Sequence, residues 1–254
     1  MKKAQADIFL LGSGIKSFYQ LTLEARYVLG ECSELYYYHD LPSFEKYIKD
    51  IHRHPVSLLK KFYLDGRERG DIYQDTVDFL IERARKNPGI AFITHGHPLV
   101  GSTLSQMLMS TAREEGLQVE VCSGVSCFDT IMTDLKLDPV ENGLLFLEAS
   151  LLLAKPFLIQ SALDTVLMQI AQIGSSLAKR TEEHSSSQLS ELKSLLLKHY
   201  PPNHPLSIVE SSVEVGFESV VFGLTLGELD STDFPLLYNH SLFIPALIKE
   251  LNRS

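Results

Sequence analysis

Two tyrosines and two arginines lie close together in the chain: Arg67 and Arg69 stand between Tyr63 and Tyr73. A phenol has an ordinary pKa of about 10 and is therefore a poor base at neutral pH. A neighbouring guanidinium group stabilises the phenolate and lowers that pKa, and it can also hold a carbonyl oxygen on which negative charge builds up. Such a group of residues could take a proton from a weakly acidic site. The spacing alone favours a simpler alternative, a solvated loop with a core tyrosine and a surface ion pair between Arg69 and Asp71.

A glycine-containing turn follows the first apolar run of the chain, at Gly12-Ser13-Gly14. Dinucleotide-binding turns have a third glycine three residues further on, but Ser17 occupies that position here. Asp40, near the end of the next predicted strand, is the acidic residue that such a site needs, and nothing else supports it. We therefore interpret the segment as a strand-to-helix turn that requires a positive φ, rather than as a nicotinamide-cofactor site.

Two further polar loops, 95–98 and 123–126, each follow a predicted strand. His95 and His97 form a pair that could bind a metal, but no third ligand lies near them in the sequence, so no metal site is predicted. Gly96 and Gly124 would let the backbone approach a small ligand closely. The two loops together predict a ligand pocket. Serine-hydrolase chemistry is not supported, because the Gly-x-Ser-x-Gly motif does not occur.

The elements that position these residues alternate between strand and helix in the first half of the chain. Apolar runs predict strands at 8–11, 35–38, 56–63, 89–94 and 119–122. Helices are predicted at 22–34 and 43–52, from an N-cap at Asp71 to the stop at 87–89, and at 102–116. This alternation is typical of a parallel sheet covered by helices, whose ligand crevice lies at the carboxyl ends of the strands.

The second half has a different pattern. Strands are predicted at 144–147 and 166–170, a loop at 175–188, and then a helix with apolar positions Leu189, Leu192, Leu195 and Leu196. Short apolar runs with little helix between them follow at 206–209, 213–217, 220–224 and 242–244, which favours a mixed, partly antiparallel sheet. We therefore expect an N-terminal domain at 1–122 and a C-terminal domain at 123–254.

Composition excludes several classes of protein. The chain has 254 residues, 44% hydrophobic and 22% charged, which is ordinary for a globular protein. Its formal net charge of −9 argues against nucleic-acid binding through a broad basic face. Three cysteines without a Cys-x-x-Cys pair favour a reducing compartment. The start of the chain lacks the apolar core of a signal peptide, and the longest apolar stretch, 143–153, is interrupted by Glu148, so a cytoplasmic protein without membrane contact is expected.

Taken together, these loops resemble the tetrapyrrole-methylase superfamily, whose members bind S-adenosylmethionine between two α/β domains. The resemblance is carried by 9–14, by Gly96-His97-Pro98 and by 123–126. Most members have Gly-Asp-Pro at the second of these sites; the histidine form, with the spacing of Tyr63, Arg69 and Tyr73, is similar to the borosin peptide α-N-methyltransferases. Further matches are Arg69-Gly70-Asp71-Ile72-Tyr73, 147–150, Gln169 before Gly174, and 240–245.

The resemblance implies a fold, a cofactor and a reaction. It implies a parallel α/β domain and a mixed-sheet α/β domain, with the cofactor in the cleft between them. The residues that it places around S-adenosylmethionine are His97, Val100, Gly101, Ser126, Cys127, Gln169 and Ser211. The reaction is methylation of backbone amide nitrogens in a ribosomally made precursor peptide.

The resemblance also implies partners. Some borosin enzymes carry the precursor peptide at their carboxyl end, but this sequence ends soon after 245–251 without a long extension, so we expect a precursor supplied in trans. An intertwined homodimer, forming a heterotetramer with two precursor peptides, is expected as well. Three positions depart from the family pattern: Lys60 replaces a tyrosine, Ser123 a proline and Cys127 an alanine. With Lys60 in place of a tyrosine, the aromatic lining of the substrate tunnel that the resemblance implies would be altered.

Roles in the reaction follow as a hypothesis. Tyr73 is the expected base, Arg69 stabilises its phenolate and the oxygen of the reacting amide, and Tyr63 positions the substrate. Two alternatives remain open at this point. One is methylation of a tetrapyrrole carbon, and the other is a non-catalytic relative that only binds peptide or cofactor.

Overall fold

A computed structural model of the chain describes residues 6–39, 41–64, 66–141, 143–178 and 186–247. Within these residues the chain forms two compact units. The first extends to Thr130 and includes Ser212–Phe217; the second consists of Ile131–Ser211 and the residues from Glu218 onward. None of the described helices combines the length and the apolar character that crossing a membrane would require.

The first unit contains a parallel sheet. Its strands are β1 (Ile8–Gly12), β2 (Leu35–Tyr38), β3 (Val56–Ser57), β4 (Ile90–Thr94) and β5 (Val119–Cys122). Its helices are α1 (Leu23–Glu31), α2 (Pro42–Ile51), α3 (Leu58–Phe62), α4 (Arg69–Lys86), α5 (Thr103–Glu114) and α6 (Cys127–Leu135), the last of which continues into the second unit. The strand order is β3-β2-β4-β1-β5, and all neighbouring strands are parallel. The predicted parallel sheet is confirmed.

The inner strands β1, β2 and β4 are buried on both faces, as their apolar runs predict. In β4, Ile90 and Phe92 belong to a core cluster that α4 and α5 complete, while Ala91 and Ile93 belong to a second cluster with α1 and α2. The apolar residues that recur at helical spacing along α4 all lie in the first cluster and form its buried face: Val77, Leu80, Ile81 and Ala84.

The predicted strand 56–63 is wrong after its first two residues. The Ser57 hydroxyl accepts a hydrogen bond from the backbone N–H of Lys60 at 3.2 Å and so begins α3, in which Leu58 and Leu59 are buried. A serine that satisfies an otherwise unpaired N–H in this way is a helix N-cap. Tyr63, the residue after α3, is therefore at a helix C-cap rather than on a strand.

The predicted N-cap of α4 is also wrong. The helix begins at Arg69, with Glu68 at the N-cap, and Asp71 lies in its first turn. A carboxylate is favourable there because the amino end of a helix carries partial positive charge. The earlier start makes both Arg69 and Tyr73 helical and places them one turn apart on the same face.

The second unit contains a mixed sheet, as predicted. Its strands are β6 (Leu144–Glu148), β7 (Asp164–Met168), β8 (Pro205–Glu210), β9 (Val220–Thr225) and β10 (Ser241–Ile244), and its further helices are α7 (Ala149–Ala154) and α8 (Ser190–Leu196). The order is β6-β7-β10-β8-β9, in which β6 and β7 are parallel and the other pairs are antiparallel. The four leucines expected on the apolar face of α8 are buried.

Two strand predictions in this half need correction. The run 166–170 is part of a strand that begins and ends two residues earlier, because Gln169 adopts a left-handed conformation with φ +58°. The run 213–217 is not a strand, because the Ser212 hydroxyl donates to the Glu214 carbonyl at 2.8 Å and holds a local turn. Of the predicted loop 175–188, residues 179–185 lie outside the described residues, as do Asp40 and the segment 248–254.

A carboxylate joins β2 to the last turn of α4. Glu34, just before β2, accepts hydrogen bonds from two nitrogens of Arg83, one of them at 2.9 Å, and from Asn87 at 3.2 Å. The Arg83 hydrogen bonds lower the pKa of Glu34 to about 2, so the charged form is favoured in the folded protein. We expect Glu34→Gln to lower the melting temperature at neutral pH by a few degrees, because the neutral amide keeps none of the ion pairing.

The effect of this substitution has a definite pH dependence. Since the folded-state pKa lies below the unfolded value of about 4.3, the stabilisation is complete above about pH 4.5 and disappears toward pH 2. Melting curves of wild type and Glu34→Gln should therefore converge on acidification. Glu82→Gln is the matched control, because Glu82 pairs with Lys86 through largely exposed side chains, and we expect little change. Equal losses in both variants would contradict the assignment.

Candidate active site

The crevice is predicted at one edge of the first unit's sheet, where β1, β2, β4 and β5 end at Gly12, Tyr38, Thr94 and Cys122. We call this the carboxyl edge. Tyr38 and Gly12 are the register partners of Thr94 on its two sides, so these strands end side by side. Each strand continues into a segment that contains predicted site residues. Parallel sheets place their ligands at such an edge.

Four glycines bring the loops at the carboxyl edge into backbone contact. Gly14 and Gly96 exchange backbone hydrogen bonds of 3.2 and 3.0 Å. A Cβ atom added to Gly12 would lie 2.4 Å from the Gly96 oxygen and 2.9 Å from the Gly124 Cα. Any side chain at Gly12 or Gly124 would therefore push the loops apart. The Gly14 φ of +78° agrees with the predicted strand-to-helix turn.

Thr94 contributes a polar group that the sequence did not point to. Its hydroxyl is buried at the end of β4 and has no hydrogen-bond partner within the part of the chain that the structure describes. A buried hydroxyl without a partner is unfavourable by roughly 1–3 kcal/mol. A polar ligand at the carboxyl edge would remove this penalty.

The two tyrosines and two arginines of the 63–73 segment have different neighbours in the structure. The Tyr63 ring packs edge-on against the Tyr38 ring, with 6.1 Å between the ring centroids, which brings Tyr63 to the end of β2. Arg69 and Tyr73 lie one turn apart on α4. The second arginine of the segment, Arg67, forms an ion pair with Asp75 at 3.0 Å.

Burial dominates the ionisation of Tyr73. Burial raises the pKa of this phenol above its usual value of 10, while the positive charge of Arg69 lowers it and offsets part of the rise. Arg69 thus acts in the predicted direction, but the predicted net lowering of the Tyr73 pKa is wrong, because the effect of burial is larger. Tyr73 is a neutral phenol at neutral pH, close to a fixed cation.

The predicted cofactor residues of the first unit lie in its loops. His97, Val100 and Gly101 follow β4, and the Leu99 N–H donates to the His97 Nδ1 at 3.1 Å. Ser126 precedes α6, of which Cys127 is the first residue. Both the N–H and the hydroxyl of Ser126 donate to a carboxylate oxygen of Asp129 at 2.7 Å, which fixes this loop.

The predicted cofactor residues of the second unit end two of its strands. Gln169 follows β7 in the left-handed conformation described above. Ser211 follows β8, and its hydroxyl donates to Asp134 at 2.5 Å. A second hydroxyl, that of Ser219, donates to the other oxygen of the same carboxylate at 2.8 Å. Both cofactor candidates are therefore held in defined conformations within their own unit.

Lys60, one of the three departures from the family pattern, is held on the first unit's surface. Its ammonium group forms an ion pair with Glu45 of α2 at 2.5 Å, and Lys49 pairs with the same carboxylate at 2.8 Å. Hydrogen bonds from the two lysines lower the pKa of Glu45 to about 2. Lys60 thus pairs with a carboxylate on α2, which it shares with Lys49.

Comparison with known proteins identifies the family. Residues 7–229 match the sequence profile of the Tetrapyrrole (Corrin/Porphyrin) Methylases. The chain belongs to this family. Two curated proteins similar to this chain are named as methyltransferase/ribosomally synthesized borosin cyclic peptide precursors. The type II protein of Phlebiopsis gigantea is 27% identical and is matched over 97% of this chain and 45% of its own length. The type III protein of Anomoporia bombycina is 31% identical over 66% of this chain and 19% of its own length. The chain thus spans about half the length of the curated relatives or less.

Solved structures of the family show the same fold. The uroporphyrin-III-C-methyltransferase of Thermus thermophilus aligns over 95% of this chain and 93% of its own, with a TM-score of 0.65 and 19% identity. A structure of that enzyme complexed with S-adenosylhomocysteine aligns with a TM-score of 0.64 over 94% of this chain and 96% of its own, at 16% identity. The tetrapyrrole-methylase fold predicted from the sequence is confirmed.

Proposed function

We propose that this chain is an S-adenosylmethionine-dependent methyltransferase that methylates backbone amide nitrogens of a ribosomally made peptide. The proposed peptide is a separate chain, bound by an intertwined homodimer that forms a heterotetramer with two precursors. One observation carries the proposal: Arg69 and Tyr73 share a helix face, and Tyr63 packs at the carboxyl edge, in a member of a family whose borosin relatives match along the chain.

The carboxyl edge offers groups that suit the cofactor. Two features favour close contact with a polar ligand. One is the Thr94 hydroxyl, which has no hydrogen-bond partner among the described residues. The other is the backbone without side chains at Gly12, Gly96 and Gly124. S-adenosylmethionine, when bound, supplies an electrophilic methyl group. The residues proposed to hold it are His97, Val100, Gly101, Ser126, Cys127, Gln169 and Ser211.

The tyrosines and Arg69 fit the chemical difficulty of an amide acceptor. The lone pair of a peptide nitrogen is delocalised into the carbonyl group, so the nitrogen is hardly nucleophilic. In the proposed mechanism the phenolate oxygen of Tyr73 takes the N–H proton and so frees the nitrogen lone pair. Bound S-adenosylmethionine would supply the methyl group, its carbon–sulfur bond breaking as the nitrogen–carbon bond forms, and S-adenosylhomocysteine would leave. Arg69 stabilises the phenolate and the negative charge on the amide oxygen. Tyr63 positions the peptide.

Methylation of a tetrapyrrole carbon is the second candidate, and the family name and the uroporphyrin methyltransferase structures favour it. Those structures are 16–19% identical, however, whereas the borosin relatives are 27–31% identical. An anionic macrocycle would favour a basic pocket, and the formal net charge of −9 does not indicate one. We therefore favour the peptide.

The proposal is tested by incubating the purified chain with S-adenosylmethionine and a separate peptide rich in Val, Ile and Leu. Fragment-ion mass spectrometry should show mass increments of one methylene on backbone segments, together with S-adenosylhomocysteine. A peptide with proline at the modified positions is the control, since proline has no amide N–H, and it should stay unmodified. Methylation of a porphyrinogen but of none of the peptides would overturn the proposal, and light scattering of the complex would test the heterotetramer.

A further inference from the structure

Two histidines that the proposed mechanism does not use meet at the carboxyl edge. His39 directly follows β2 and His95 directly follows β4, and these strands are neighbours with Tyr38 opposite Thr94. The two rings are 4.8 Å apart between centroids, and His95 Nδ1 lies 3.0 Å from His39 Nε2. We infer that His95 is a further catalytic residue, which donates a hydrogen bond from Nε2 to the oxygen of the peptide amide, and that His39 is the positioning residue that fixes this donor. The inference rests on the proposed function and deepens it.

The hydrogen bonds determine which nitrogens carry protons. The backbone N–H of Leu41 donates to His39 Nδ1 at 3.2 Å, so that nitrogen is an acceptor. A neutral imidazole has one N–H and one lone pair, and His39 must therefore carry its proton on Nε2. This N–H donates to His95 Nδ1. His95 in turn carries its proton on Nε2, which makes that nitrogen a donor.

The surroundings of His39 hold it in the neutral form. Its ring is 3% exposed and stacks on Phe44 with 4.3 Å between centroids. Burial lowers the pKa of His39 to about 2, with a smaller contribution from His95. The N–H of His39 faces His95 Nδ1 and so keeps that nitrogen an acceptor. The arrangement is typical of a residue whose tautomer is set by a buried neighbour.

The position of the two histidines along the sheet indicates which group accepts the hydrogen bond from His95. In the order β3-β2-β4-β1-β5, the Tyr38–Tyr63 contact belongs to the β2 side, and the glycine loops belong to β4, β1 and β5. The histidines stand at β2 and β4, between the aromatic residues proposed to meet the peptide and the glycines proposed to meet the cofactor. His95 is exposed there. A neutral N–H suits a carbonyl oxygen that gains negative charge only as the reaction proceeds.

Four variants test the assignment: His95→Leu, His95→Gln, His39→Leu and His39→Gln. His95→Leu should lower kcat for peptide methylation about a hundredfold with unchanged affinity for S-adenosylmethionine in calorimetry, because it removes a donor that acts on developing charge. His95→Gln, which keeps an N–H, should recover part of the rate. His39→Leu should lower kcat about tenfold or more, because a His95 proton on the wrong nitrogen leaves a lone pair where a donor is needed. His39→Gln should restore most of the rate, since its amide can still donate to His95.

A spectroscopic readout separates this inference from the proposed function. In ring-¹⁵N-labelled protein, His95 should give the signals of a single Nε2–H tautomer, and His39→Leu should change them to those of a mixture. His54→Leu, at an exposed histidine, is the control and should change neither rate nor spectrum. An Nδ1–H tautomer at His95, unchanged kcat in His95→Leu, or a loss confined to cofactor affinity would each overturn the inference. Failure of the wild type to methylate any peptide would count against the proposed function, while the tautomer result would stand by itself.

Discussion

Tyr73→Phe should abolish methyl transfer while S-adenosylmethionine still binds. The substitution removes only the hydroxyl group that receives the amide proton, and general-base catalysis contributes about 10²- to 10⁴-fold to a rate. We expect kcat to fall at least a hundredfold, with calorimetry showing unchanged cofactor affinity. Near-normal turnover in Tyr73→Phe would remove the mechanism.

Arg69→Ala should lower kcat by a comparable factor, because Arg69 stabilises the phenolate that accepts the amide proton. Arg69 is the charge that offsets part of the burial-raised pKa of Tyr73, so its removal should raise that pKa further and leave less phenolate at every pH. Arg67→Ala is the matched control, because Arg67 pairs with Asp75 in the same segment and has no proposed part in the reaction. If both arginine variants lose activity equally, the effect belongs to the segment as a whole rather than to the pairing with Tyr73.

The pH profile gives an independent check on the base. Because burial holds the Tyr73 pKa above 10, the phenolate fraction rises as the pH rises. The value of kcat/KM reports ionisations of the free enzyme, so it should increase about tenfold per pH unit between about pH 7 and about pH 9. A plateau near pH 7 would indicate a different base.

The fold was predictable where the sequence carries a local signal. The strands β1, β2 and β4 are almost entirely apolar, and α4 has a buried face at helical spacing, so all of them could be predicted from neighbouring residues alone. The short helix α3 was missed because the run from Val56 to Tyr63 was assigned as one strand. Leu and Lys are good helix formers and Ser57 is a helix cap, but a helix of five residues is too short to show a periodic apolar pattern.

The sequence could point to single residues of the candidate site, but it could not predict which of them are in contact. His39 and His95 each stand after a predicted strand, yet their contact depends on β2 and β4 being neighbours, and strand order is not encoded in either segment. The hydrogen bond from Ser43 to Glu214 joins residues 171 positions apart and is equally invisible to local patterns. The pKa of Tyr73 depends on burial by several elements at once, which is why the effect of Arg69 alone gave the wrong net direction.

Gly12→Ala should damage both stability and cofactor binding. The added Cβ would meet the Gly96 oxygen at 2.4 Å, the Gly124 Cα at 2.9 Å and the Pro98 Cδ at 2.9 Å. Two of these are backbone atoms that cannot swing aside, so the loops after β4 and β5 must move. Overpacking of this kind lowers the free energy of unfolding by about 1–3 kcal/mol. Urea denaturation should show that loss, and calorimetry should show weaker binding of S-adenosylmethionine.

Gly30→Ala is the control with the opposite expected sign. Gly30 lies at an exposed position of α1, and an added Cβ there meets nothing within 4 Å. Alanine is a better helix former than glycine, so the free energy of unfolding should rise by about 0.5–1 kcal/mol with unchanged cofactor affinity. Gly124→Ala should resemble Gly12→Ala, and the double variant should lose less than the sum, since loops already pushed apart leave room for the second methyl group. Equal urea midpoints for Gly12→Ala and Gly30→Ala would show that the glycine contacts at the carboxyl edge do not hold these loops together.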